Sequence, residues 1–321
     1  MNTRATRVLG IGLILAAASA GFATPTAARS NAPRVAASEP VKLAAAEAET
    51  LRTALLKDRQ ETLDWLKTSP TSYLATVQRR DFEQKDVLTV GRAPDNDVRI
   101  DDPAIEPHHL HVSVMGDSFH VEAVDDSARF MVKSEALRDA RVGPSAIGVD
   151  RFTLRLSHQR FPAVIVFDPK SPRFANYKGL EWFAPDYRFR YVLPLSLNPA
   201  PDTLIIMSTR GNQRRALRVG WFDFKAAGKS CRLAVTRLLE PGVSEKDFGI
   251  FFRDATTGKE SYAVGRYVDA ERRPDGMFVL DFNNAYNPAC AVSDHYNCPI
   301  PPKDNVLKVA IRAGEMDSHY H

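Results

Sequence analysis

The chain has 321 residues, of which 44% are hydrophobic and 26% charged. That balance excludes a disordered protein and allows one large or two ordinary folded units. The formal net charge of +4 is too small for a protein that binds nucleic acid by neutralising many phosphates, so that partner class is excluded.

In chain order, the first element reads as an export signal. Arg4 and Arg7 precede an uncharged apolar run, Val8–Ala20, and the small residues Ala18, Ser19, Ala20 or Gly21 and Ala23 offer cleavage sites. About 13 apolar residues fall short of the roughly 20 that cross a bilayer as a helix. The expectation is a signal peptide over 1–23 and a periplasmic or secreted product with no stable membrane span after cleavage. Loss of Arg4 and Arg7 takes the net charge from +4 to +2. Residues 24–42, rich in Ala, Pro and Ser, read as a flexible linker. Leu51, Leu55, Leu63 and Leu66 then recur at helical spacing and predict an amphipathic helix over 43–68, stopped at Ser69-Pro70.

Beyond Asp86 the pattern shortens to β segments at 87–90, 111–114, 118–124, 152–156 and 163–167, separated by Gly, Pro and Asp turns. Such spacing predicts a β-sandwich or barrel over 69–170. A second β series, expected at 189–195, 203–207, 217–224, 231–238, 249–253, 262–267, 277–281 and 306–311, fills 171–315 and leaves 316–321 as a tail. The expected fold is mainly β: an N-terminal amphipathic helix followed by two packed antiparallel β units. Arg210, Arg214, Arg215 and Arg218 are expected to form a solvated loop.

The string GRAPDNDVRIDDPAIEPHHLHVSV, Gly91–Val114, resembles the core of a forkhead-associated domain, with Gly91, Arg92, Asp97, Ile100, Asp102, Ile105 and His109 in matching places. The resemblance implies a β-sandwich and phosphothreonine binding. Where phosphopeptide readers carry Ser then Arg before the His, this chain has Glu106 and Pro107. A carboxylate repels phosphate and a proline offers no donor, so the fold is expected without most of that function. His109 and His111 share one strand face, but with His120 they complete no ligand set, and no metal is expected.

Two motifs mark the second unit. In FFRDATTGKESYAVGRY, Phe251–Tyr267, the run Asp254–Gly258 has turn chemistry between two alternating arms, which predicts a hairpin with Arg266 on the return strand. LDFNNAYNPACAVSDHYNCPIPPKDN, Leu280–Asn305, is stiffened by Pro288, Pro299, Pro301 and Pro302 and reads as a loop that caps a barrel end or shapes a pocket. Cys290 and Cys298 form a candidate disulfide, worth about 2.5 kcal/mol in the chain-entropy model; Cys231 reads as a buried thiol. With His295 the pair is also a partial metal-ligand set, supplying three ligands at most.

With KGLEWFAPDYRFRY, Lys178–Tyr191, and the terminal Ala313-Gly314-Glu315, these motifs resemble the domain-of-unknown-function family 1684 over roughly 42–315. Ala289, Val292 and Asp304 depart mildly from the family pattern. The resemblance implies one integrated architecture and brings no established activity.

The polar residues expected near a shared pocket are Arg188, Arg190, Asp254, Arg266, Asp281, Asn283, Tyr286 and Asn287. Arg and Asn suit an anionic or carbonyl ligand, and a carboxylate with a raised pKa acts as acid or base. The competing structural reading is an Asp–Arg brace with Asn capping of loop backbone. The chain has no nucleophile elbow, zinc-protease helix or phosphate loop, and no motif calls for a cofactor. The leading expectation is an exported binding or accessory protein with a pocket on a β scaffold and an unknown small molecule or protein as partner. A hydrolase-like enzyme using Asp281 and Arg266 is the alternative, and a phosphopeptide or protein-interaction module is third.

Overall fold

Helix α1, Ala45–Thr68, ends as its sequence requires: Ser69 N–H closes on Trp65 O at 2.9 Å, Ser72 Oγ donates to Leu66 O at 2.8 Å, and Pro70 forbids another turn. Of the predicted stripe, Leu55 and Leu66 are buried and Leu51 and Leu63 half-buried; Arg59 occupies a stripe position and is buried with them. The computed structural model describes residues 35–320. The expected signal peptide, 1–23, and most of the expected linker lie outside the described residues. No helix among the described residues is long and apolar enough to cross a membrane.

The end of the linker is not loose. Ser38 N–H donates to Asp223 O (3.0 Å), Lys225 N–H donates to Ser38 O (2.8 Å), and Val41 N–H reaches Arg190 O (2.9 Å). The cause is the long strand Gln213–Ala226. Lys229–Leu238 covers one of its edges, while Thr203–Met207, Ser196–Leu197 and then Ser38 cover the other in turn. Unpaired ladder groups on that edge recruit the passing chain.

The first β unit is a sandwich. One sheet runs in the order Thr76–Asp81, Ala163–Phe167, Phe152–Ser157, Ser145–Val149, Phe130–Val132 and Glu135–Leu137. The other runs Val98–Arg99, Val87–Gly91, Leu110–Met115, Ser118–Ala123 and Asp139–Val142. Leu88, Val90, Val112, Phe119, Val121 and Leu154 meet between them with no exposed surface. The strands that patterning missed between 130 and 149 are short or half-exposed, with little apolar alternation to read.

In the second unit, Tyr191, Phe224, Phe252 and Phe282 form a connected aromatic core with ring centroids 5.0 to 6.2 Å apart. The predicted hairpin pairs Ile250–Phe252 with Arg266–Val268, in the register Phe252↔Arg266. Two expectations fail here. Residues 262–265 belong to the hairpin loop, and 306–311 form no strand. Leu307 N–H still reaches Arg253 O (2.8 Å), but Ile311 N–H goes to the Asp254 carboxylate (2.6 Å), so a side chain takes the place of a ladder partner.

The loop after Tyr286 is wedged between the two units. Tyr296 OH meets Thr76 Oγ1 at 3.0 Å, and Arg79 donates to His295 O at 3.3 Å. Arg214 does not belong to a solvated loop. It lies in the strand Gln213–Ala226, 2% exposed, and its guanidinium holds Glu240 (2.7 Å), Gln159 (3.1 Å) and the Asn297 carbonyl. Arg210 pairs with Asp81 at 3.0 Å, and Arg218 with Asp304 at 3.1 Å. These arginines tie the loop and both units together.

Candidate functional site

A cleft of about 710 Å³ lies beneath α1, between the helix and the second β unit. One wall is the half-apolar face of α1 with Leu51, Leu55, Arg59 and Trp65; the facing wall carries Trp182, Tyr187, Asp281, Asn283–Asn287 and Glu315.

Local structure sets each polar side chain. Asp281 ends the strand Phe278–Asp281 and caps the short 3-10 turn Phe282–Asn284 by accepting the Asn283 N–H at 3.0 Å. Arg190 stands directly opposite on the neighbouring strand and reaches Asp281 at 2.5 Å. Asn283 is fully used: Nδ2 donates to Asp281 (2.8 Å) and Asp186 O (3.0 Å), and Oδ1 accepts the Asp186 N–H (2.8 Å). Asn287 donates its backbone N–H to Glu315 Oε2 (2.8 Å) and its Nδ2 to Met316 O (2.7 Å). Tyr286 is 37% exposed at the cleft and sets its phenol against Asp269.

Glu315 is the group most altered by this environment. It is 8% exposed, and burial pushes its carboxyl up to about 7, against the opposing pull of the Asn287 N–H and of Arg266 and Arg59. Arg59 leans over Trp182 (5.5 Å to the ring centre) and donates to Phe183 O (3.2 Å) and Asn283 O (3.5 Å). Burial lowers its pKa, with Glu315 opposing.

The structure divides the predicted residues. Arg190, Asp281, Asn283, Tyr286 and Asn287 line the cleft. Arg188 does not: 85% exposed, it chelates Asp186 at the surface. Asp254 and Arg266 form a separate buried lock. Arg266 donates to Ala313 O (2.5 Å), Ile311 O (2.8 Å) and Glu315 O (3.1 Å) and lies 3.5 Å from Asp254. Asp254 accepts from Thr256 (2.8 Å), Thr257 (3.1 Å) and the Ile311 N–H. This lock shapes 311–315 and so carries Glu315 into the cleft wall. Sequence reasoning missed Glu315, Arg59, Trp182 and Tyr187 as site residues. Two signals were present: a charged residue inside the apolar stripe of α1, and the terminal Ala313-Gly314-Glu315.

Cys290 and Cys298 are adjacent buried residues outside the cleft lining, and Cys290 N–H donates to Cys298 Sγ at 3.4 Å. In the first unit, the loop at 105–109 is held by backbone. Asn96 Nδ2 donates to Pro107 O (2.8 Å), and a Cβ at Gly91 would collide with that carbonyl. Arg92 is exposed, with Nε on Ile105 O (3.2 Å), and Glu106 accepts from Ser127 Oγ (2.9 Å). The His109 ring is spent between the Glu106 N–H (3.2 Å) and Arg129 O (2.9 Å).

This architecture, an FHA-type sandwich joined to a second β unit, agrees with the family models. Residues 88–146 match the FHA domain and residues 175–316 match DUF1684, proteins of unknown function. The chain belongs to the DUF1684 family. Among solved structures, an uncharacterised protein of Haloarcula marismortui is 32% identical, over 48% of this chain and 85% of its own, with a TM-score of 0.38. The FhaA FHA domain complexed with the intracellular domain of Rv3910 is 16% identical, over 25% of this chain and 78% of its own (TM-score 0.19). Mycobacterium tuberculosis EmbR in complex with a low-affinity phosphopeptide is 15% identical, over 38% and 30% (TM-score 0.21). No curated protein matches the chain.

Proposed function

We propose that this is an exported binding or accessory protein whose cleft beneath α1 holds a small molecule. One observation carries the reading. Arg59 Nε, Tyr187 OH, Asn287 Oδ1 and Ser318 Oγ are buried without a hydrogen-bond partner among the described residues, and all four residues line the cleft. Orphaned buried polar atoms are costly, and their convergence on one cavity fits a site completed by a ligand and its waters. The hydrolase alternative draws no such support, because Asp281 is committed to Arg190 and Asn283 while Arg266 lies outside the lining.

Mass spectrometry of the protein recovered from the exported fraction tests three parts of this reading. The expected N-terminus is Gly21 or Thr24, and native spectra carry a co-purified small molecule. The denatured mass is two hydrogens below that of the fully reduced chain, because Cys290 and Cys298 pass two electrons and two protons to a thiol oxidant of that compartment. An unprocessed, fully reduced chain that sheds no small molecule would count against all three.

A second reading rests on the FHA match. We propose that this unit meets a protein surface without needing phosphothreonine, since the 105–109 loop carries the Glu106 carboxylate, held by Ser127 Oγ, and Pro107, which offers no donor. A flat titration against phosphothreonine peptides is expected. Saturable binding that disappears in Arg92→Ala would reverse the reading.

A further inference from the structure

We infer that the cleft selects an organic cation: a small molecule whose ammonium head is held by Glu315 and Asn287 and whose apolar body lies against Trp182 and Tyr286. The inference rests on the reading of the cleft as a ligand site and names the ligand class.

Charge is the first argument. Among the described residues, the carboxylates of Asp58, Asp269, Glu271, Asp281 and Glu315 line the cleft against two guanidiniums, Arg59 and Arg190. Arg190 is neutralised by Asp281 at 2.5 Å. Arg59 turns its terminal nitrogens to the Phe183 and Asn283 carbonyls and its face to Trp182, so its charge serves to seat α1. The remaining field in the cleft favours a cation.

The second argument is the kind of polar atom left open. Glu315 Oε2 is satisfied by the Asn287 N–H, but Oε1 accepts no hydrogen bond from the described residues. Asn287 Oδ1 is also without a partner among the described residues. Of the open atoms, Arg59 Nε is a donor and the Tyr187 and Ser318 hydroxyls serve as either, while the carboxylate and amide oxygens are acceptors, to which an ammonium group brings three donors. Arg266 and Arg59 pull on this buried carboxylate without an ion pair to it among the described residues, and it stays costly until an opposite charge meets it directly. Trp182 and Tyr286 add ring faces and edges on which a cation with an apolar body is favoured over an anion.

Binding should therefore depend on the ionisation of Glu315. The charged and titratable groups around it are Arg59 from α1, Arg266 from the strand Arg266–Val268, and the phenols of Tyr73, Tyr177 and Tyr286, which burial pushes up. Asp269, also raised by burial, lines the cleft with its carboxylate against the Tyr286 phenol. As pH falls through about 7, Glu315 takes up a proton and its attraction for an ammonium is lost.

The test is calorimetric titration of the whole mature chain at pH 8 with 2-phenylethylamine, 2-phenylethanol and phenylacetate, which share a body and differ in the head. The amine is expected to bind about tenfold or more tightly than the alcohol, and phenylacetate weakest of the three. Glu315→Gln should bring the amine to the alcohol's affinity. In the unmodified protein, moving from pH 8 to pH 6 should weaken the amine by about tenfold and leave the alcohol unchanged; this arm needs no variant to fold. Equal binding of amine and alcohol, or tighter binding of phenylacetate, overturns the cation inference and leaves the cleft standing as a site. Failure of all three to bind also overturns it, and the cleft is then judged separately by the co-purified small molecule.

Discussion

Arg266→Leu should cost about 3–5 kcal/mol of unfolding free energy, the range for breaking a buried ion pair by removing one partner. The substitution strips hydrogen bonds from three carbonyls, Ile311, Ala313 and Glu315, and leaves Asp254 with no guanidinium at 3.5 Å. The replaced side chain is fully buried between Phe183 and Phe252, so water cannot repair the loss. Urea denaturation followed by far-UV circular dichroism measures the change. Arg266→Lys should recover only part of it, because a point-like ammonium cannot serve three carbonyls spread across the guanidinium fork. A loss below about 1 kcal/mol, the scale of an exposed pair, would show that the lock is not structural and return Arg266 to consideration as a functional group.

Gly314→Ala should be similarly severe, at about 3 kcal/mol or more, because strain and overpacking add. Gly314 has φ +80°, and a Cβ there would stand 2.5 Å from the Ala285 carbonyl oxygen, 2.7 Å from the Ala285 Cβ and 2.7 Å from the Phe282 oxygen. None of these atoms is the movable end of a long side chain. Gly276→Ala is the control: its φ is also +80°, with nothing within 4 Å of the added carbon. It should cost only the backbone strain, about 1 kcal/mol. The difference between the two melting curves isolates the collision. Equal losses would mean that the segment carrying Glu315 can relax away from 282–285. Because Gly314 O also accepts the Phe183 N–H at 3.0 Å, the same variant should displace Glu315 from the cleft and reduce the co-purified small molecule.

Both effects fall on the segment that presents Glu315, which explains why the site was only partly legible in the sequence. Asp281, Asn283 and Asn287 were found because turn-forming Asn and Asp residues clustered beside a strand, and clustering is local. Arg266 and Asp254 looked equally functional, since a charged residue destined for burial has the same appearance in sequence whether it meets a ligand or a carbonyl. Its partners are Ile311, Ala313 and Glu315, more than forty positions away. Arg59 meets Asn283 across 224 positions. Arg214 illustrates the same difficulty at the surface: four arginines within nine positions resemble a solvated patch, yet one is almost fully buried on Glu240.

What the sequence determined by itself was local and periodic. Leucine spacing and Ser69-Pro70 specified α1 and Asp254–Gly258 specified a hairpin loop, each set by neighbours within a few residues, where backbone propensity and side-chain alternation act; the FHA-type sandwich was legible through the resemblance of Gly91–Val114 to that family. The tertiary structure alone decided which charges are braces and which open on the cleft. That distinction depends on desolvation and on hydrogen-bond partners brought from distant parts of the chain, and neither leaves a periodic signal in the order of the residues.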